Sequence, residues 1–234
     1  MTHETTTSGD GAPSAAETTS GTRVLLACGA VAAPLWGLVA LAQILTRDGF
    51  DLRRQQASLL GNGDLGWIQV TNFIVAGLLF LAGAIGIRRS VRPGVGATWG
   101  PRLVAAFAVG MIAAGVLVAD PADGFPPGTP TGPPEDPSWH GIGHLTAASV
   151  GLLALIMACL LFARGFAASR RPGWAAYSLT TAVVVLAAVA FQAAAPDQAA
   201  ANVSFFVVVA GLAHGWVSLL AGWLLTVTRP SRAR

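Results

Sequence analysis

The chain contains no lysine, and all fourteen of its basic residues are arginine. Charge of either sign is scarce: Asp, Glu and Arg make up 11% of 234 residues, against about a quarter in soluble domains. That scarcity excludes an ordinary solvated surface. The skew to arginine is read as GC-rich coding and points to a bacterial source. Only two cysteines occur, Cys28 and Cys159, both inside apolar runs and without metal-ligand spacing, so neither a disulfide framework nor a thiolate metal site is expected. No phosphate-cradling glycine loop, nucleophile elbow or zinc-protease helix is present, which leaves the enzyme classes little support. The net charge of +3 is dispersed as arginine clusters between apolar runs, so nucleic acid is not an expected partner.

What is present is apolar: 53% of the residues are hydrophobic and the mean hydropathy is +0.62. Six runs near 25–45, 68–87, 103–119, 145–163, 175–194 and 205–227 are each long enough to cross a hydrocarbon core of about 30 Å as a helix. In lipid each backbone N–H and C=O must be satisfied within its own segment, and the runs lack the alternation of barrel strands. The expected class is therefore all-α, a polytopic membrane protein built as a six-transmembrane-helix bundle over residues 23–228. Residues 1–22, rich in Thr, Ser, Gly and Ala, have little to bury and are read as a disordered cytoplasmic tail. Residues 229–234 form a short basic tail. The first run resembles a secretory signal at Ala40-Leu41-Ala42, but its length and the lack of a basic segment beyond Arg23 favour a retained helix.

The arginines orient the bundle. Arg23, Arg88, Arg89, Arg92, Arg102, Arg164, Arg170, Arg171, Arg229, Arg232 and Arg234 all fall on one side of a six-span topology, which the positive-inside rule makes cytoplasmic. Both termini are then inside, in a bacterial plasma membrane. Arg47, Arg53 and Arg54 are exceptions in the first external loop. Every carboxylate after the tail (Asp48, Asp51, Asp64, Asp120, Asp123, Glu135, Asp136, Asp197) falls on the external side. The second external loop, from Asp120 to His144, is proline-stiffened and contains no basic residue but its two histidines; it predicts a stiff cap rather than a helix. Small residues at spacing near four, Gly29, Ala33 and Gly37 in the first run and Gly211, Gly215, Ser218 and Gly222 in the sixth, predict helix-packing seams.

GDLGWIQVTNFIVAGLLFLAGAIGIRR (63–89), GVLVADPADGFPPGTP (115–130) and HGIGHLTAA (140–148) together carry a resemblance. The chain resembles the bacterial membrane-protein family catalogued as domain of unknown function 998, over most of its length after residue 22. The resemblance implies a multi-helix membrane protein of unassigned role and marks Gln69, Asn72, Asp120, Asp123, Pro127, Gly128, His140 and His144. It fits the last helix less well, where Ala213-His214 stands in place of an expected charged pair.

From the residues themselves, Gln69 and Asn72 share one side of the second helix near its external end. Asp120 and His144 end and begin the next two helices at the same level. These four, with Asp123, form the candidate ligand pocket for a lipid headgroup or small polar ligand, beside the lipid bilayer itself as partner. The alternative is that Asp120 satisfies nearby backbone donors while His144 sits at the interface in contact with water. No cofactor is expected, with zinc held by His140, His144 and Asp120 as the alternative of a metal-dependent, hydrolase-like membrane enzyme. Gly141 and Gly143 oppose helix between those histidines. His214, the one ionisable group near mid-membrane, lies roughly 13–15 Å deeper at about 1.5 Å per residue and cannot join that site. It is expected to flank the sixth-run seam as a relay group or as an imidazole bonded to a neighbouring helix.

Overall fold

The computed structural model describes residues 17–91, 96–195 and 198–230. Six of its helices are long and apolar enough to cross a membrane. They are α1 (Ser20–Thr46), α2 (Gly66–Ser90), α3 (Trp99–Val116), α4 (Trp139–Ala168), α5 (Pro172–Ala194) and a divided last span, Gln198–Val227. That span begins as α6 (Gln198–Val207), winds as a π-helix over Val208–Ala213, and ends as α7 (His214–Val227). Extended pairing among the described residues is confined to Glu17–Thr18 beside Arg229–Pro230 and an isolated bridge between Ala122 and Phe125. Large apolar side chains point outward along the spans, with Leu38 67% and Val150 60% exposed, a surface that only lipid solvates without cost. The chain is a multi-pass membrane protein.

Local chemistry sets the helix ends. Thr19 caps α1 by accepting from the Thr22 N–H at 3.3 Å, so residues 20–22 belong to the first span and not to the tail. Residues 1–16 of that predicted tail lie outside the described residues. Helix α3 stops at Val116, short of the expected 119, which leaves Asp120 in the loop rather than at the helix end. Helix α4 starts at Trp139 and runs through Gly141 and Gly143, against the expectation that these glycines oppose helix. The reason is close approach: a Cβ at position 141 would meet the Asp120 carboxylate, and one at 143 would lie 2.8 Å from Leu117 Cδ1.

Sequential helices pack as antiparallel neighbours, and α1 closes the bundle against α7. Gly29 and Gly83 meet where α1 crosses α2, with the position of a Gly29 Cβ only 2.7 Å from Gly83 Cα. The core between the helices holds Trp36, Phe80, Phe107, Phe162 and Trp216. Helix α1 contains Pro34, whose ring lacks an N–H and crowds the carbonyl four residues back. Helix α7 answers it. The Ser218 hydroxyl accepts from the Ala33 N–H at 3.0 Å and donates to the Gly29 carbonyl at 2.8 Å, the two groups that close this turn in a regular helix.

One predicted seam is corrected. Gly211 and Gly215 would each place a Cβ in open space, and Gly222 approaches only Ala30, at 3.8 Å. Helices α1 and α5 do not close over this face of α7, so the sixth-run stripe floors a groove. Gly37 in the first run likewise has no neighbour.

Candidate functional site

The acidic end of the bundle is covered by two interlocked loops. Between α1 and α2, a 3-10 turn at Ala57–Gly61 is tied down by Arg47, whose guanidinium donates to the Leu60 carbonyl at 3.2 Å and the Asn62 carbonyl at 2.7 Å. Burial draws the Arg47 pKa below its ordinary value, and the Asp64 carboxylate opposes the shift. The same guanidinium lies 5.4 Å over the ring of Phe125, which the second loop inserts at 1% exposure. Phe50 meets Phe125 edge to face at 5.3 Å. Gln55 joins the loops through one amide, accepting from the Asp51 N–H at 2.6 Å and donating to the Asp123 carbonyl at 2.8 Å. Asp123 itself sits at φ 52°, followed by Gly124 at φ 80°, a left-handed pair that Asp and Gly tolerate best. The expected cap is therefore present, and it is a packed plug.

The predicted pocket residues fall into separate groups beneath it. Asp120 accepts from the Ser138 N–H at 2.8 Å and from the Ser138 hydroxyl, while Ser138 accepts from the Gly141 N–H at 3.1 Å. Its carboxylate thus serves the positive end of α4 and anchors the loop, the backbone-satisfying role weighed from sequence. His144 is buried rather than in contact with water at the interface, with Nδ1 at 2.8 Å from the Ala114 carbonyl and 3.0 Å from the Leu117 carbonyl. Two acceptors require the proton on Nδ1, so His144 terminates α3. No hydrogen bond joins it to Asp120 among the described residues. The void beside it, bounded by Ser58, Phe73 and Val118, holds about 10 Å³, close to one water. His140 is exposed and stacked on Trp139 at 3.5 Å. Among the described residues no three His, Cys, Asp or Glu are grouped to hold a metal ion.

Gln69 and Asn72 do meet, inside the bundle. Gln69 Oε1 accepts from Gln43 Nε2 at 2.7 Å and from Asn72 Nδ2 at 3.3 Å, and Asn72 Nδ2 also donates to the Trp36 carbonyl at 3.1 Å. Gln43 and Trp36 went unnoticed in the sequence; their seven-residue spacing on one face of α1 was the available signal. His214 lies deeper, ringed by Trp36 at 4.5 Å, Phe107 at 5.4 Å and Phe80 at 5.6 Å. Gln43 Oε1, Gln69 Nε2, Trp36 Nε1 and His214 Nδ1 are buried without a hydrogen-bond partner. Among the described residues His214 is thus neither hydrogen-bonded to a neighbouring helix nor placed on the groove.

A second space lies on the flank. A groove of about 950 Å³ runs between α1 and α5 over α7, with Ala30 and Pro34 on one wall, Tyr177 on the other, and Gly211, Gly215 and Gly222 along its floor. Trp174 and Trp223 close its arginine end, where the Arg171 guanidinium sits 4.8 Å over the Trp223 ring.

Residues 30–229 match the model of the family of proteins of unknown function designated DUF998. The chain belongs to this family. No curated protein and no solved structure matches it. Membership covers all six spans from the middle of α1 onward and agrees with the resemblance carried by the Gly-Trp-Ile-Gln, Asp-Pro and His-Gly-Ile-Gly-His segments.

Proposed function

We propose that this DUF998 protein is a non-enzymatic lipid-binding protein of a bacterial plasma membrane, with both termini cytoplasmic. The observation that carries the reading is the contrast in space. The void under the cap is about 10 Å³, whereas the lateral groove is about 950 Å³ and has an apolar floor of glycines. A headgroup-sized polar ligand has no room beneath the plug, and an apolar chain fits the groove. Most of the polar side chains expected to bind a ligand are engaged within the protein: Asp120 by Ser138, His144 by the end of α3, and Asn72 and Gln69 Oε1 by α1 and each other. The orientation rests on the arginine asymmetry.

The competing proposal, a zinc-dependent reaction at His140, His144 and Asp120, has no favouring geometry, because the three groups serve a stacked tryptophan, two carbonyls and a helix cap respectively. Near-stoichiometric zinc in the purified protein would support that proposal over ours. The groove itself is tested with Gly215→Leu, which fills open space and meets no neighbour. After exhaustive detergent exchange, mass spectrometry of the parent should find about one retained lipid per chain; the variant should fold normally and lose it. Equal retention in both proteins would sink the reading.

A further inference from the structure

Resting on the lateral-groove reading, we infer that the bound lipid is an anionic phospholipid whose phosphate is paired with Arg171 at the arginine end of the groove. Helix order sets the charge there. The N-termini of α1 and α5 and the C-terminus of α7 lie at one end of the bundle, with Arg23, Arg88, Arg89, Arg102, Arg164, Arg170 and Arg171. Glu17 apart, the carboxylates from Asp48 to Asp136 lie at the other end. A phosphate at the groove's arginine end therefore meets cations in excess of acids among the described residues.

Arg171 is the arginine held against a groove-lining side chain. It is exposed, its guanidinium is held over Trp223 at 4.8 Å, and its side chain makes no hydrogen bond or ion pair among the described residues. Five N–H donors are thus fixed beside a groove-lining ring and left free, a bidentate site for phosphate oxygens. On the facing wall Arg23 lies seven residues before Ala30 on the same face of α1. Arg23 spends Nη1 on the Leu225 and Thr228 carbonyls at 3.2 and 3.1 Å, which leaves its charge and remaining donors as the second cation. Trp174, Tyr177 and Trp223 gather at the same end, the amphipathic ring set that favours a headgroup level.

Charge selects a lipid over a second copy of the chain. A second copy inserted the same way would bring its own arginine end against Arg171 and Arg23, whereas an anionic phospholipid brings the opposite charge to that end.

The test is native mass spectrometry of the delipidated full chain titrated with phosphatidylglycerol and with phosphatidylcholine of identical chains. The parent should prefer phosphatidylglycerol, by about fivefold for each arginine engaged. Arg171→Gln should reduce phosphatidylglycerol binding about fivefold and phosphatidylcholine binding by less, because choline already offsets the charge of its phosphate; the phosphatidylcholine still bound reports an intact fold. Arg89→Gln, at the same end but away from the groove, should keep the parent's preference. Equal binding of the two lipids by the parent overturns the inference, while loss of both in Gly215→Leu still upholds the groove. If Gly215→Leu keeps both lipids, the groove reading itself fails. If it converts a dimer to a monomer, the occupant is a second copy and the inference is overturned.

Discussion

Replacing Ser218 by Ala tests how α1 accommodates a proline in mid-membrane. In the parent the Ser218 hydroxyl serves the Ala33 N–H and the Gly29 carbonyl at once, at 3.0 and 2.8 Å. Removing it takes from two buried backbone groups beside Pro34 the hydroxyl that serves them both. An unsatisfied buried group costs about 1–3 kcal/mol, and interhelical hydrogen bonds in membranes average near 0.6 kcal/mol. Ser218→Ala should therefore cost about 1–3 kcal/mol. Pro34→Ala removes the ring that crowds this turn, so the Ala33 N–H can close on the Gly29 carbonyl directly. In that background Ser218→Ala should cost less than about 1 kcal/mol. Reversible unfolding in mixed SDS and neutral micelles, followed by circular dichroism on all four members of the double-mutant cycle, gives the coupling. Equal costs of Ser218→Ala in both backgrounds would refute the reasoning.

Three further outcomes are expected. Phe125→Ala should empty the centre of the cap at a cost of about 3–5 kcal/mol and accelerate amide exchange in both cap loops, at Gln55 as well as at Asp123 and Gly124, with α2 and α3 unaffected; acceleration in one loop alone would show that the two are not interlocked. Gly29→Leu, against Gly83 Cα, should lower the melting temperature in detergent by forcing α1 from α2, whereas Gly37→Leu, with no neighbour, should not. In a chain with Cys28 and Cys159 changed to Ala, Thr131→Cys should react with an impermeant thiol reagent on intact cells and Ser169→Cys should not, and the reverse pattern would invert the orientation.

Much of the fold was legible because a bilayer imposes length and apolarity on every span, and all six runs recur as helices. Their ends were less legible where a partner outside the helix decides them. His144 takes the carbonyls that end α3, and Asp120 with Ser138 starts α4 through two glycines that local propensity disfavours. The cap was visible in its Pro, Gly and Asp content, but its centre, Phe125 between Arg47 and Phe50, joins residues some 75 positions apart and carries no local signal. The candidate site was less legible still. Gln69 and Asn72 were marked correctly as neighbours, yet their partners, Gln43 and the Trp36 carbonyl, belong to another helix. The Gly211, Gly215 and Gly222 stripe reads in sequence as a packed seam, since spacing alone does not say whether a helix comes to fill it.

The most direct test of a lipid-binding groove is where a lipid chain lies on the protein in a bilayer. A phospholipid bearing a photoactivatable group at mid-chain is reconstituted with the full chain, illuminated, and the labelled peptides are mapped. The account predicts labelling concentrated at Ala30 to Pro34, Tyr177 and Gly211 to Gly222, and its loss in Gly215→Leu. Labelling spread evenly over outward residues such as Leu38, Val150 and Leu186, unchanged in the variant, would contradict it.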